Sequence, residues 1–588
     1  MPLHSEIQIA EATDGAGRQK NSFRYGWMIR ALIACLGIAL FTWLGFEYFP
    51  GHTYLQSDTQ IYLPILHRLD NPGYLSRDLV ATNPHVSYTI YDEVALFFHR
   101  TARIDFEHIL VWQQLLFRAA AMFGVYLIAA SAGIPATFSV LIAAIFNLGA
   151  SLLGPAVLLV EYEPIPRGYA EGLIFLALGL LAYRQVLLAG LAAGLAFLYH
   201  PPTSAPFWGM VLLVVVVDGK LRSRWRVLLL ALFIAALLLA NLAQLQPQVV
   251  ESQNFLGHLT ERMVELQHFR TRYAWVSLWA GADIWHYTAI CVLALWGTSR
   301  IWDLLSRQLR WFFVGLPIGG VLCIPLSYLL LENWKFTIIP EFQPARALLY
   351  TVGIASIACG MAAARAAVRH RFFESWGWFL AVFALPVNVR VFQIFRLDNR
   401  EQVAALFLWM GIAAFAAGLC HLAHHAWARP LTWAAPALAA FAIPLGAHVV
   451  NFQKLDKAPI VQLADWAAQN TWGSSMFLFP DAEHGLEPGI FRALSQRALY
   501  VDWKSGGQVN YFESFGEEWY TRFKQTMMGD FTAMRLEKML DLPVDYYVLK
   551  REHKLGGIKP VFENKDFVVY DAQDLRNSST SLRLGMEG

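Results

Sequence analysis

The chain is a succession of apolar runs, each close to the length an α-helix needs to cross a bilayer. About 20 apolar residues span ~30 Å of hydrocarbon. Runs of this kind lie at 27–49, 109–131, 134–153, 168–184, 186–200, 203–218, 226–244, 285–300, 311–331, 347–366, 376–395, 402–424 and 430–450, the three between 168 and 218 being the shortest in character. Thirteen such segments predict a polytopic α-helical membrane bundle. Of the 588 residues, 56% are hydrophobic and only 15% charged, against about a quarter charged in a soluble domain. Hydrocarbon explains the deficit, because a charge placed in it costs several kcal/mol. The 21 tryptophans suit the membrane–water interface, which accommodates a ring with one polar edge.

Basic residues in the connections set an orientation. Arg18, Lys20 and Arg24 precede the first span. Lys220, Arg222, Arg224 and Arg226 follow the sixth, Arg300, Arg307 and Arg310 the eighth, and Arg365, Arg369 and Arg371 the tenth. With thirteen spans all four clusters fall on one side, expected to be the cytoplasm, while Arg390, Arg396 and Arg400 run against the trend. Residues 1–26 then form a cytoplasmic tail, and the run from Trp27 to Phe49 reads as a signal anchor, being too long for a cleaved signal peptide. Residues 27–451 form the transmembrane domain, with a long external loop at 50–108 carrying helical patterns near 58–69 and 85–101.

From residue 452 the composition changes. Charges return and apolar runs shorten to strand length: Phe477–Phe479, Ala498–Val501, Tyr546–Leu549 and Phe567–Tyr570, with helical patterns at Leu463–Gln469 and Glu517–Met528. Residues 452–572 are therefore expected to form a small C-terminal α/β soluble domain on the extracytoplasmic side, followed by a polar tail at 573–588.

Several classes of function are excluded. A net charge of +2 gives no electrostatic case for nucleic acid. The five cysteines lie far apart in apolar stretches, without zinc-ligand spacing. No P-loop, G-x-S-x-G or H-E-x-x-H pattern is present, which argues against ATP-driven transport by this chain alone.

Chemistry-bearing residues concentrate where spans end. Asp58 and Asp78 in the first loop are each placed to act as a general base toward an acceptor hydroxyl or as a helix N-cap. Glu161, Glu163 and Arg167 lie between apolar spans, where charges mark a site by default, and the planar fork of Arg167 suits a phosphate. His200 sits in a Tyr-His-Pro-Pro break that frees helix carbonyls, as a candidate acid/base, phosphate ligand or metal ligand. Gln343 and Arg346 stand at the mouth of the tenth span. Arg118, inside the second, is expected to pair with a carboxylate. In the C-terminal region Asp502 and Lys504 alternate with Trp503, so on a strand they would share one face, either flanking a cleft or forming an ordinary surface ion pair.

This plan resembles the GT-C superfamily of membrane glycosyltransferases: a long first external loop with acidic residues (Asp58, Asp78), a many-helix bundle, and a following outer domain. Within it Phe491-Arg492, Ser495, Arg497, Val501-Asp502-Trp503-Lys504 and Glu518-Trp519-Tyr520-Arg522 look like the uncharacterised bacterial DUF6798 family. The resemblance implies inverting transfer of a sugar from a polyprenyl-phosphate carrier to an unidentified acceptor, at the outer face of a bacterial inner membrane. Asp58 or Asp78 would be the base. Glu161, Glu163, Arg167, His200, Gln343, Arg346 and Lys504 would bind substrate, and a divalent metal is possible. A W-W-D-Y-G signature and an adjacent Asp-Glu pair in the first loop are both missing. The alternatives are a transporter or flippase for a lipid-linked sugar or small molecule, and a non-catalytic protein of envelope polysaccharide assembly.

Overall fold

The computed structural model describes residues 28–29, 31–84, 86, 88–245, 257–384, 415, 418, 441 and 455–584. Apolar composition produces the expected helices. Among the described residues four are long and apolar enough to cross a membrane: Phe106–Ser131, Gly219–Gln244, Arg307–Asn333 and Ile339–Val368. Shorter apolar helices occupy Ala31–Glu47, Ala136–Asn147, Val186–Tyr199 and Pro201–Val217. Helices Pro166–Ala182 and Gly281–Arg300 complete the pattern over the first ten expected spans. Of the last three, only 376–384 and the single residues 415, 418 and 441 lie within the described residues.

The basic clusters gather at one end of the bundle. Arg307 pairs with Asp218 at 2.6 Å, Arg365 with Asp303 at 2.5 Å and Arg300 with Glu374 at 2.5 Å, and Arg365 also donates to the Arg300 carbonyl. The first loop emerges at the other end, where it folds into helices Thr59–Asp70, Leu79–Thr82 and Tyr91–Ala102.

The expected span at 134–153 is shorter than its apolar run. Its helix stops at Asn147, and the chain turns into a hairpin of strands β1 (Ser151–Leu152) and β2 (Val157–Leu158). Gly149 and Gly154 take left-handed backbone conformations, with φ of +70° and +71°. A Cβ on Gly154 would also stand 2.7 Å from the Trp279 ring. An apolar run alone cannot distinguish a buried hairpin from the end of a helix; these glycines mark the difference.

The C-terminal region carries a mixed five-stranded sheet, its strands lying side by side in the order Ala498–Leu499, Met476–Leu478, Tyr546–Lys550, Phe567–Asp571 and Phe562–Glu563. Its strands are β3 (Met476–Leu478), β4 (Ala498–Leu499), β5 (Tyr546–Lys550), β6 (Phe562–Glu563) and β7 (Phe567–Asp571). Pairing is parallel for β3 with β4 and β5, and antiparallel for β7 with β5 and β6. Helices Ala458–Asn470, Glu487–Ser495 and Glu513–Thr526 belong to the same region, and residues expected as a polar tail form a helix, Ala572–Leu584.

This region is fastened to the loops at this end of the bundle by buried charge. Arg492, 1% exposed, sits 2.9 Å from Asp502 and 3.6 Å from Asp78, and donates to the Gln60 carbonyl at 3.0 Å. At the rim Arg77 pairs with Asp545 at 2.7 Å and Arg262 with Glu517 at 2.7 Å.

Candidate active site

Where the bundle, its connecting loops and the C-terminal region meet, they enclose a polar cavity of about 490 Å³. It is assembled from widely separated stretches of chain. Asp58 comes from the first loop, the β1–β2 hairpin from the next connection, and Glu161 and Arg167 from the entry to the following helix. His200 comes from a helix break, Arg270 and Tyr273 from the second long loop, Glu341, Gln343 and Arg346 from a third, and Lys504 from the C-terminal region.

Asp58 is the N-cap residue of Thr59–Asp70, but its side chain makes no capping hydrogen bond. Capping falls instead to Glu163, whose carboxylate accepts from the Ser57 and Asp58 backbone N–H groups at 2.6 and 2.7 Å and from the Thr59 hydroxyl at 2.8 Å. A negative charge at a helix N-terminus is favourable there, and the substitution releases Asp58. Its side chain, 31% exposed, lies 2.7 Å from Lys504 Nζ and 3.5 Å from Arg167 Nη2. Burial disfavours its charge, yet the Lys504 ammonium and the Arg167 guanidinium outweigh that and hold the Asp58 carboxyl well below the usual carboxylate range. Glu163 shifts the other way, raised by burial and then by the negative charge of Asp58.

Arg167 is shared. Its Nε donates to Glu161 at 2.5 Å, so Glu161 sets the plane of the guanidinium. Lys504 donates to Ser57 Oγ at 2.6 Å as well as pairing with Asp58. These contacts neutralise two carboxylates with two cations. Arg270 and Arg346 make no ion pair among the described residues. Arg270 donates to the Trp503 and Lys504 carbonyls at 3.0 and 3.3 Å and stacks on Trp503. Arg346 donates only from Nε, to the Pro155 carbonyl at 3.4 Å, and lies over the Tyr273 ring. Basic side chains in the cavity wall (Arg167, Arg270, Arg346 and Lys504) outnumber the acidic ones (Asp58, Glu161 and Glu341), and among the described residues the outer fork of Arg346 has no acceptor. Nδ1 of His200 accepts the Thr203 N–H at 3.1 Å, capping Pro201–Val217, so the neutral ring carries its hydrogen on Nε2.

Asp58, Glu161, Arg167, His200, Gln343, Arg346 and Lys504 all line this cavity. Asp78 and Glu163 do not. Asp78 is fully buried. One oxygen accepts from the Val80 and Ala81 N–H groups, each at 3.0 Å, and the other accepts from Leu499 N–H at 3.0 Å beside Arg492. It caps a short helix and anchors the C-terminal region, with no oxygen left for an acceptor hydroxyl.

Two further expectations are corrected. Asp502 and Lys504 do not share a strand face, because β4 ends at Leu499 and Lys504 opens a 3-10 turn, Lys504–Asn510. Asp502 is buried against Arg492 while Lys504 reaches Asp58. Arg118 finds backbone carbonyls in place of a carboxylate, donating to Gly45, Gly51 and Glu161 at 3.0, 3.1 and 2.9 Å. Its donors match carbonyls left free at helix ends.

A divalent metal does not fit the residues present. Among the described residues no three His, Cys, Asp or Glu side chains are grouped to hold one, and Asp58 is already held between two cations. Arg270, Tyr273, Glu341, Gln508, Asn510 and Tyr511 join the cavity without forming any motif in the sequence. Only Glu341 had a local signal, its place in the polar run between two apolar spans.

Comparisons with known proteins add the following. Residues 458–526 match the family model described as a domain of unknown function, DUF6798, at the patch whose residues resemble that family. No curated protein is significantly similar to the chain in sequence. Among solved structures, ArnT from Cupriavidus metallidurans, apo and bound to undecaprenyl phosphate, is similar at 14% identity and a TM-score of 0.42, over 93% of this chain and 98% of that one. The arabinofuranosyltransferase AftD from Mycobacteria is similar at 13% identity and a TM-score of 0.37, over 88% of this chain and 35% of its own. The Archaeoglobus fulgidus oligosaccharyltransferase is similar at 13% identity and a TM-score of 0.34, over 89% of this chain and 67% of its own.

Proposed function

We propose that this chain transfers a glycosyl group from a polyprenyl-phosphate carrier to an acceptor hydroxyl, at the outer face of a bacterial inner membrane. On this reading residues 452–572 lie outside and residues 1–26 inside, with thirteen spans between. The observation that carries it is a solvent-accessible carboxylate, Asp58, set between Lys504 and Arg167 in a cavity that also holds the open fork of Arg346. A planar guanidinium fork matches phosphate oxygens. The cavity stands where apolar helices end, so a lipid phosphate can enter it while its chain lies along the bundle.

The acceptor oxygen attacks the anomeric carbon and forms the new glycosidic bond. The bond from that carbon to the phosphate oxygen breaks, its electron pair leaving with the carrier phosphate, and the acceptor proton passes to the Asp58 carboxylate. Arg346 and Arg167, with His200 Nε2–H, stabilise the charge that builds on the leaving phosphate. A strongly paired carboxylate is a weak base. A donor phosphate drawing Lys504 and Arg167 toward itself loosens their hold on Asp58 and restores its basicity at the moment it is needed.

The test is release of free polyprenyl phosphate from a labelled polyprenyl-phosphate sugar in membrane vesicles from cells overproducing the protein, which supply the acceptor hydroxyl. Wild type should release it, and Asp58→Asn should lose at least about a hundredfold in rate, the lower end of what a positioned base contributes. Full release by Asp58→Asn, or return of the carrier with its sugar still attached, would rule the reading out.

A further inference from the structure

Gln508 lines the cavity wall. It is 1% exposed, and among the described residues neither its amide oxygen nor its amide nitrogen has a hydrogen-bond partner. Gln343 Oε1, in the same wall, is likewise buried and unpartnered, while Gln343 Nε2 is occupied by the Pro340 carbonyl at 2.7 Å. Glu341, also lining the cavity, belongs to no ion pair or hydrogen bond among the described residues. Buried amides without partners are rare and call for an explanation.

The chemistry of these groups separates them from the cationic ones. A phosphate offers acceptors alone, so it suits Arg346 and Arg270 and gives nothing to an unpartnered amide oxygen. A sugar hydroxyl donates one hydrogen bond and accepts others, which matches an amide's paired donor and acceptor and a carboxylate's oxygens. Gln508 stands on the Lys504–Asn510 turn, within the residues that match DUF6798, four positions from the lysine that holds Asp58.

We propose that the Lys504–Asn510 turn is the specificity element of the site, and that Gln508, with Gln343 and Glu341, hydrogen-bonds the hydroxyls of the carrier-linked glycosyl group. This rests on the transferase reading, and it gives the DUF6798 segment a role: it supplies the wall that reads the sugar. Selection of this kind is strong because a ligand lacking the matching hydroxyl leaves the buried amide unpaired.

The experiment compares two probes on the full-length protein in nanodiscs: decaprenyl phosphate, and whichever of decaprenyl-phosphate mannose, galactose and arabinose binds wild type most tightly. Gln508→Met keeps the side chain's shape and removes its polar atoms. It should weaken the glycosylated lipid about tenfold, leave bare decaprenyl phosphate within about twofold, and leave the melting temperature of the empty protein unchanged or higher. If Gln508→Met does not fold, Gln508→Asn is measured the same way and should again weaken the glycosylated lipid selectively. Equal weakening of both lipids, or of neither, overturns the inference while wild-type binding of the bare carrier leaves the transferase reading intact. Failure of wild type to bind decaprenyl phosphate overturns both.

Discussion

Replacing Arg492 by alanine should detach the C-terminal region from the first loop without unfolding the bundle. Arg492 is 1% exposed, and its two carboxylate neighbours, Asp78 and Asp502, are 0% and 1% exposed. It sits 2.9 Å from Asp502 and 3.6 Å from Asp78, and its second terminal nitrogen reaches the Gln60 carbonyl. Removing one member of a buried pair costs about 3–5 kcal/mol, because the remaining charge is left uncompensated. Here two carboxylates are left, although each keeps backbone donors: Leu499 N–H on Asp78 and Ser505 N–H on Asp502. The lower end, about 3 kcal/mol, is therefore the better figure, which is roughly a hundredfold rise in the population of the undocked form. Hydrogen exchange followed by mass spectrometry reads this on peptides covering 495–510, since exchange through local opening tracks that population. The peptides should lose about two orders of magnitude of protection, while those from Phe106–Ser131 keep theirs. Unchanged protection across 495–510 would refute the claim that buried charge locks the two regions together.

Glu163→Gln should weaken the start of Thr59–Asp70 by about 1 kcal/mol, the usual worth of a helix cap, visible as faster exchange at 57–61, and should lower transfer through misplacement of Asp58. Transfer at the wild-type rate would show that Glu163 does not position it. Gly154→Ala should destabilise the β1–β2 hairpin by about 1–3 kcal/mol, since alanine there must hold φ near +71° against Trp279; an unaltered melting curve would contradict this. The Asp58 carboxyl is held low in the folded protein, so its ion pairs contribute stability that is complete above the unfolded value of about 3.9 and lost as pH falls through the folded value. The melting-temperature gap between wild type and Asp58→Asn should stay constant from pH 7 to pH 5 and shrink only in stronger acid. A gap already closing at pH 6 would count against the Lys504–Asp58–Arg167 arrangement.

The sequence made some of this legible for specific reasons. Apolar runs of bilayer length forecast the helices because hydrocarbon tolerates little else. Polar clusters breaking those runs pointed to Glu161, Arg167, His200 and Arg346, since charges survive there only in a cavity or a pair. What was hidden depends on contacts between distant residues. Asp58 and Asp78 look alike locally, each an aspartate before a helix, and only Glu163, about a hundred positions away, frees the first from capping. Asp502 and Lys504 were legible as a pair but not in their separate destinations, because the end of β4 depends on its pairing with β3. Gln508 carries no local signal at all; its significance is the absence of a partner, which appears only once its surroundings are assembled.

The most direct measurement is a structure of the full-length protein with a polyprenyl phosphate bound. The account predicts the phosphate in the cavity beside Asp58, within hydrogen-bond reach of the Arg346 fork, with Lys504 drawn off Asp58 toward it. A phosphate bound away from Arg346 and Arg167, or a cavity filled by lipid tail with the Lys504–Asp58 pair intact, would contradict it.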